Sequence, residues 1–277
     1  MKYLVYLVDA IDAAVEAGKA VLEVYGTDFG VETKADNSPL TVADMRSHEI
    51  IKARLERHGI PSISEEGRHA DWETRRDWSL MWVVDPLDGT KEFVKRNGEF
   101  TINIARVHGQ TPVSGVILVP VKNVLYFADP GTGARKALLT EELTKSFPEN
   151  PEQAFQALLR MSSALPIAPR AARPYTIAGS RSHSTPELQA FVEKCRLEHG
   201  AVEYISVGSS LKFCLVAEAT ADVYLRTGPT CEWDTAAGQA IAEQAGAVVE
   251  DFHSGRPLRY NKEDLHNPWF IVRREAG

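Results

Sequence analysis

Leu4, Leu7, Val8, Ile11, Val15 and Leu22 recur at helical spacing, and the acids between them fall on the opposite face. The pattern predicts an amphipathic helix over the first 25 residues, stopped at Gly26. The polar stretch ETKADNSPLT reads as a loop or hairpin end. Thr41 followed by Asp44 forms a capping box with Asp in place of Glu. The helix behind it runs to about His58, with Met45, His48, Ile51 and Leu55 on one face and Gly59 at its end. A short strand through Ile60 and Ile63 delivers Glu65 and Glu66 to its end. Trp78 to Val84 is a second apolar strand, which stops at Asp85. FTINIARV and PVSGVILVPVKNVLYFAD read as consecutive strands, with Gly109 and Gln110 turning the chain between the first two. The first half is therefore two helices and a mostly antiparallel sheet.

Residues 130–172 break this regularity. Glu141, Glu142, Glu149 and Glu152, several prolines and an Ala/Arg-rich run suggest a solvated insertion, with a helix in part of 151–162. Beyond it, strands at 175–178, 202–206 and 222–225 alternate with helices at 186–199, 209–219 and 235–245, an α/β layered pattern. We divide the chain into residues 1–135, an insertion or linker at 136–172, and residues 173–277.

Composition narrows the function classes. The 277 residues are 44% hydrophobic and 25% charged, which suits a sizeable core. The net charge is −7, so a basic, polymer-binding nucleic-acid protein is not expected, and an anionic substrate would need cations or metal ions gathered at one place. Three widely spaced cysteines without a CxxC pair argue against a disulfide scaffold and a zinc site, and suit the cytoplasm. No run approaches the length needed to span a bilayer. GxGxxG and GxxxxGK[ST] fingerprints are absent from the sequence.

The densest chemistry lies in WVVDPLDGTKEF, residues 82–93. Pro86 and Gly89 turn the chain so that Asp85 and Asp88 face one cavity, Thr90 presents a hydroxyl, and the Leu87 carbonyl is exposed by the turn. Two carboxylates so close repel unless a cation neutralises them, and oxygen donors of this kind suit Mg²⁺. An Asx-turn pair ending a strand, without metal, is the alternative. Glu65 and Asp234 add two acids. Asp234 can cap a helix whose small residues Ala236, Ala237 and Gly238 permit close packing; alone it reads as an ordinary cap. Asp44 alone reads as a first-turn helix acid. In the second half, GSRSH offers hydroxyls and His183. GSSLK places Gly208 and Ser209 at a helix start, where N–H groups favour an anion, and Lys212 adds charge. Lys91, Lys95 and Arg96 add positive field, and Arg226 lies before a turn. Each has a plain structural alternative as a capped helix or a surface cation.

DPLDGT followed by KEFVKRNGEFTINIA, with KADNSPLTVAD before it and GSSLKFCLVAE and WDTAAG after it, resembles the inositol monophosphatase superfamily, and within it the bacterial 3′(2′),5′-bisphosphate nucleotidases. The resemblance runs from about residue 32 to the C-terminus and weakens in 130–172. It implies a layered αβαβα sandwich and magnesium-dependent hydrolysis of a phosphomonoester, with two or three ions. The implied substrate is adenosine 3′,5′-bisphosphate or its 5′-phosphosulfate relative, which belongs to sulfur metabolism. Carried over by position, Glu65, Asp85, Asp88, Asp234 and the Leu87 carbonyl hold metal. Asp44 and Thr90 activate water, with Glu65 part of the catalytic set. Gly89, Thr90, Lys91, Ser182, His183, Gly208, Ser209, Lys212 and Asp234 touch substrate. The resemblance also implies lithium sensitivity and admits a homodimer and peripheral attachment to the inner membrane. An inositol or sugar monophosphatase with the same metal site, and a non-catalytic nucleotide- or metal-binding module, are the competing readings.

Overall fold

The computed structural model describes residues 2–33, 39–167, 173–180 and 185–274. The first expected helix forms as α1 (Lys2–Tyr25). A hairpin of β1 (Val31–Thr33) and β2 (Pro39–Thr41) leads into α2 (Val42–Leu55). Then come β3 (Ser62–Ser64), a short α3 (Trp72–Arg75), β4 (Leu80–Asp88) and α4 (Thr90–Val94). The meander continues through β5 (Thr101–His108), β6 (Thr111–Val119), β7 (Val124–Asp129) and β8 (Gly133–Leu138). Two helices, α5 (Glu141–Glu149) and α6 (Pro151–Met161), precede β9 (Ser163–Ala164). The second half runs β10 (Tyr175–Gly179), α7 (Pro186–His199), β11 (Val202–Ser206), α8 (Leu211–Ala217) and β12 (Val223–Arg226). It ends with α9 (Glu232–Gln244), β13 (Ala247–Asp251) and β14 (Phe270–Arg274).

β3 to β9 form one seven-stranded sheet in sequence order, antiparallel except for the β3–β4 pair. The other large sheet has five strands in the order β11-β10-β12-β14-β13. The apolar runs of the central strands have a plain cause: both faces of the larger sheet are covered. Trp82, Val84, Ile102, Ile104, Val116, Leu118, Leu125 and Phe127 pack on the α1/α2 side. Their neighbours Met81, Val83, Ala105, Val107, Ile117 and Tyr126 pack with α8, α9 and the smaller sheet. Ile177 and Val223 meet Cys195 of α7 on the outer face of that sheet. Helices, sheet, helices, sheet and helix thus stack as the expected αβαβα sandwich.

The helix α9 is clamped between the two sheets by small residues. A Cβ on Gly115 would lie 2.5 Å from the Ala237 carbonyl, and one on Gly238 would lie 2.5 Å from the Phe213 ring. No larger residue fits either contact, so the helix carrying Asp234 is held at one distance from the sheet carrying Asp85.

Several expectations change. β4 does not stop at Asp85; it continues to Asp88, with a register shift between the two acids where they pair with β5. Residues 141–161 are not a solvated insertion. They form two amphipathic helices whose Leu143, Phe147, Ala154, Phe155 and Leu158 enter the core beside α1. The acids of α1 do not all face water: Asp9 and Asp12 are buried and paired with His58, Arg57 and Arg54 of the α2 end. Met45 is exposed, and α2 buries Ala43, Asp44 and Ser47 along with the expected His48, Ile51 and Leu55.

Candidate metal and phosphate site

The end of β4, the start of α4 and the first turn of α9 converge. One ligand oxygen each from Asp85, Asp88 and Asp234 lies within 4.8 Å of the others. Asp85 is fully buried, and its Oδ1 accepts the Leu87 N–H at 3.0 Å, a tight Asx turn closed by Pro86. Its Oδ2 is buried and receives no hydrogen bond among the described residues. Asp88 Oδ2 accepts from Ser210 N at 2.6 Å and Asn103 Nδ2 at 3.2 Å. Asp234 Oδ2 accepts from Cys231 N at 2.6 Å. Cys231 is therefore the N-cap, and Asp234 sits inside the helix at its third position rather than as the cap itself.

These acids disturb one another. Burial, then Glu65, Asp88 and Asp234 charge, push Asp85 well above the usual carboxylate range. Burial raises Asp88, against the pull of Lys212 and the Asn103 hydrogen bond. Burial and Asp88 push Asp234 up to about 7. Glu65, at the end of β3, contributes charge to all three. An orphaned buried carboxylate oxygen beside mutually repelling acids is what a hard cation relieves, so the donor set fits Mg²⁺.

Beside the acids stands the hydroxyl–carboxylate pair. Thr90 Oγ1 donates to Asp44 Oδ1 at 3.1 Å, and also lies 3.3 Å from the Leu87 carbonyl. Asp44 Oδ2 is held by Thr41 N at 2.8 Å and Thr41 Oγ1 at 2.7 Å, the capping box read from sequence. Ser47 Oγ, one turn further on, donates to the Pro86 carbonyl at 2.6 Å and fixes α2 to the acidic turn. Gly89 takes φ +91, and a Cβ there would lie 3.3 Å from both the Glu99 carbonyl and Ser209 Cβ. Glycine is needed for the conformation as well as the space.

A cavity of about 570 Å³ opens from Asp88 and Asp234. Gly89, Lys91, Lys95, Gly208, Ser209 and Lys212 line it, together with Glu92, Tyr224 and Arg226. Lys212 is buried, donates to the Ser209 and Val207 carbonyls at 2.6 and 3.3 Å, and burial lowers its pKa to about 8. The loop before it differs from expectation. The Gly208 N–H is taken by Glu99 at 2.9 Å and the Ser210 N–H by Asp88, so neither is offered to an anion. The Ser209 hydroxyl is buried and has no hydrogen-bond partner among the described residues. Arg96 turns away, binding the Tyr25 carbonyl at 2.6 Å and lying over the rings of Tyr25 and Phe29. Ser182 and His183 lie outside the described residues.

Sequence reasoning missed the buried polar residues behind these acids. Thr101 and Asn103 stand in the apolar run of β5, and a polar residue in a strand covered on both faces was the available signal. Glu232, fully buried, accepts from Asn261 N, Lys262 N and Lys262 Nζ at 2.6, 2.9 and 2.6 Å. Arg75 of α3 holds the same loop through Asn261 Oδ1 at 3.1 Å and the Glu263 carbonyl at 2.6 Å. That strut joins the start of α9 to the segment following Glu65 and Glu66.

Comparison with known proteins places this geometry. The model of the inositol monophosphatase family matches residues 5–272. The chain is 44% identical over 261 residues to the 3′(2′),5′-bisphosphate nucleotidase CysQ of Escherichia coli K12, covering 92% of this chain and 94% of that one. It is 32% identical to the CysQ of Haemophilus influenzae, with 94% and 89% covered. The crystal structure of CysQ from Bacteroides thetaiotaomicron superposes with a TM-score of 0.84 at 50% identity, covering 97% of both chains.

Proposed function

The chain belongs to the inositol monophosphatase family, and we propose that it is a Mg²⁺-dependent 3′(2′),5′-bisphosphate nucleotidase. It would hydrolyse the 3′-phosphate of adenosine 3′,5′-bisphosphate, or of its 5′-phosphosulfate relative, to give the 5′-nucleotide and phosphate. One observation carries the reading: a single cavity has clustered carboxylates at one end and Lys91, Lys95 and Lys212 along its wall. Its volume, about 570 Å³, suits a nucleotide. The names of the relatives supply the substrate class.

In this reading Glu65, Asp85, Asp88, Asp234 and the Leu87 carbonyl hold two or three Mg²⁺. When bound, such ions supply Lewis acidity toward the phosphoryl oxygens and make water a better nucleophile. The chain's own part begins at Thr90. Its proton is committed to Asp44 Oδ1, so its oxygen lone pair is free to accept from the attacking water. Thr41 fixes the other Asp44 oxygen, so the pair cannot rotate out of line. The P–O3′ bond breaks as the new P–O bond forms, the attacking water's proton passes through Thr90 to Asp44, and the leaving 3′-oxygen takes a proton from solvent water to become the 3′-hydroxyl. Gly89 lets the backbone approach the phosphoryl group, and the cationic wall, with Ser209, holds the rest of the nucleotide. The Ser182 and His183 roles remain part of this proposal. Three free cysteines suit a cytoplasmic setting, and among the described residues no helix is long and apolar enough to cross a membrane.

The test is phosphate release, with Mg²⁺ and with or without lithium, from adenosine 3′,5′-bisphosphate, inositol 1-phosphate and fructose 1,6-bisphosphate. A preference for the nucleotide of about 100-fold or more in kcat/KM is expected, with inhibition by lithium. Equal or greater kcat/KM for inositol 1-phosphate would discard the nucleotide assignment while keeping the metal site.

A further inference from the structure

Asp88 differs from Asp85 and Asp234 in what stands behind it. Thr101 and Asn103 of β5 and Ser210 before α8 are all fully buried, and they form one chain of hydrogen bonds ending on Asp88. The direction of that chain follows from counting protons. Ser210 Oγ lies 2.8 Å from Asn103 Oδ1, which can only accept, so the single Ser210 hydroxyl proton points there. Ser210 Oγ must then accept from Thr101 Oγ1, also at 2.8 Å, and the longer 3.5 Å approach of Thr101 to Asp88 carries no proton. Asn103 is left with its amide N–H for Asp88 Oδ2, at 3.2 Å. The reverse amide orientation would set its oxygen against a carboxylate, so the network selects this one. The Ser210 N–H adds a second donor to the same oxygen at 2.6 Å.

Both donors converge on Oδ2, while Oδ1 carries no hydrogen bond among the described residues. We propose that Asn103 and Ser210 are positioning residues that hold Oδ2 of Asp88 and thereby present Oδ1 alone, at a fixed angle, to the metal. Asparagine suits position 103, because one side chain must donate to the carboxylate and accept from the serine. Ser210 reaches the clamp from the second half of the chain, between Ser209 and Lys212, which both line the cavity. The clamp therefore fixes the metal-facing carboxylate and the substrate-facing loop as one unit. This inference rests on the reading of Asp88 as a metal ligand.

The experiment measures Mn²⁺ affinity directly, by electron paramagnetic resonance of free Mn²⁺ without substrate. The proteins are the wild type, Asn103→Ala, Ser210→Ala and Ser210→Thr. Loss of an outer partner of a metal ligand typically weakens binding about 10–100-fold, and that is expected for Asn103→Ala. Ser210→Ala keeps its backbone N–H on Asp88, so a smaller loss, about threefold or more, is expected, and Ser210→Thr should restore affinity because it keeps the hydroxyl. In turnover, the Mg²⁺ concentration giving half-maximal rate should rise in Asn103→Ala more than kcat falls. A purely structural role would lower Tm and leave the Mn²⁺ affinity of the folded protein unchanged. Should Asn103→Ala not fold, the Ser210 pair decides alone. Affinities within about twofold of wild type in Ser210→Ala and in any folded Asn103→Ala would overturn the clamp and leave the metal reading standing. A wild-type protein that binds no Mn²⁺ would overturn the metal reading itself.

Discussion

The acids buried under α1 and those at the end of β4 are treated in opposite ways. Under α1, each buried carboxylate has a cationic partner. Asp12 lies 2.8 Å from Arg54, Asp9 lies 2.7 Å from His58 and also meets Arg57, and Asp129 lies 3.0 Å from Arg106. At the end of β4, Asp85 has a backbone N–H for one oxygen, no donor for the other among the described residues, and Glu65, Asp88 and Asp234 as its charged neighbours. Burial alone therefore does not mark the functional acids. At Asp85 the mark is burial among acids with no cation beside it among the described residues, because that arrangement costs stability unless something else binds there.

The comparison breaks most visibly by exchanging the charges. Asp85→Asn should lower turnover at least about 1000-fold, since it removes a proposed metal ligand. The metal-free variant should melt no lower than the wild type, because a repulsive charge has gone and little volume has changed. Asp129→Ala should do the reverse. It removes the carboxylate 3.0 Å from the buried Arg106 guanidinium and should cost about 3–5 kcal/mol by denaturant titration, with kcat per folded molecule nearly unchanged. Equal effects of the two variants on activity would erase the distinction.

Thr90→Val tests the proton route at nearly constant shape. A kcat loss of about 100-fold or more is expected, within the usual range for general base catalysis, with Mn²⁺ affinity held. Lys212→Met tests the cavity wall. It should reduce kcat/KM about tenfold or more for adenosine 3′,5′-bisphosphate, and markedly less for adenosine 3′-monophosphate. An equal loss on both would assign Lys212 to holding the 207–209 loop through its carbonyls rather than to specificity.

The smallest effect is the dependence of Mg²⁺ stabilisation on pH. Asp85, Asp88 and Asp234 all sit above their unfolded pKa, with Asp234 at about 7. For raised carboxylates the metal-free fold is favoured at low pH, and that contribution is lost as pH rises through the folded values. Mg²⁺ binds the ionised form. The Tm gain from Mg²⁺ should therefore be small near pH 6 and larger at pH 8, read by thermal melts with and without the ion. A gain independent of pH across that range would show that the acids are already ionised in the metal-free protein.

Much of this was legible from residues alone because its causes are local. The Thr41–Asp44 box, the turn at Pro86 and Gly89, and the apolar runs of β5 to β7 each depend on neighbours a few positions away. What stayed hidden depends on distant partners. The 141–161 stretch reads as solvated because its glutamates dominate, while Leu143 with Phe147 and Ala154 with Leu158 make two short apolar stripes broken at Asn150 and Pro151. Asp9 and Asp12 look like solvent-facing acids until α2 brings Arg54, Arg57 and His58 beneath them. Gly208 and Ser209 look like a helix start open to anions, but Glu99 and Asp88 arrive from the other half and occupy the Gly208 and Ser210 N–H groups. The clamp through Asn103 needs β5 and α8 side by side, and no spacing along the chain encodes that.

The position of β14 has a consequence for biosynthesis. The seven-stranded sheet is complete once residue 164 has been made, and it already presents Asp85 and Asp88. β12, whose last residue Arg226 lines the cavity, can pair on one edge with β10, but its other edge is covered by residues 270–274. Phe270, which also lines the cavity, arrives in the same strand. During synthesis the acids of β4 thus come first, and the substrate wall can be completed only after β14 has been made.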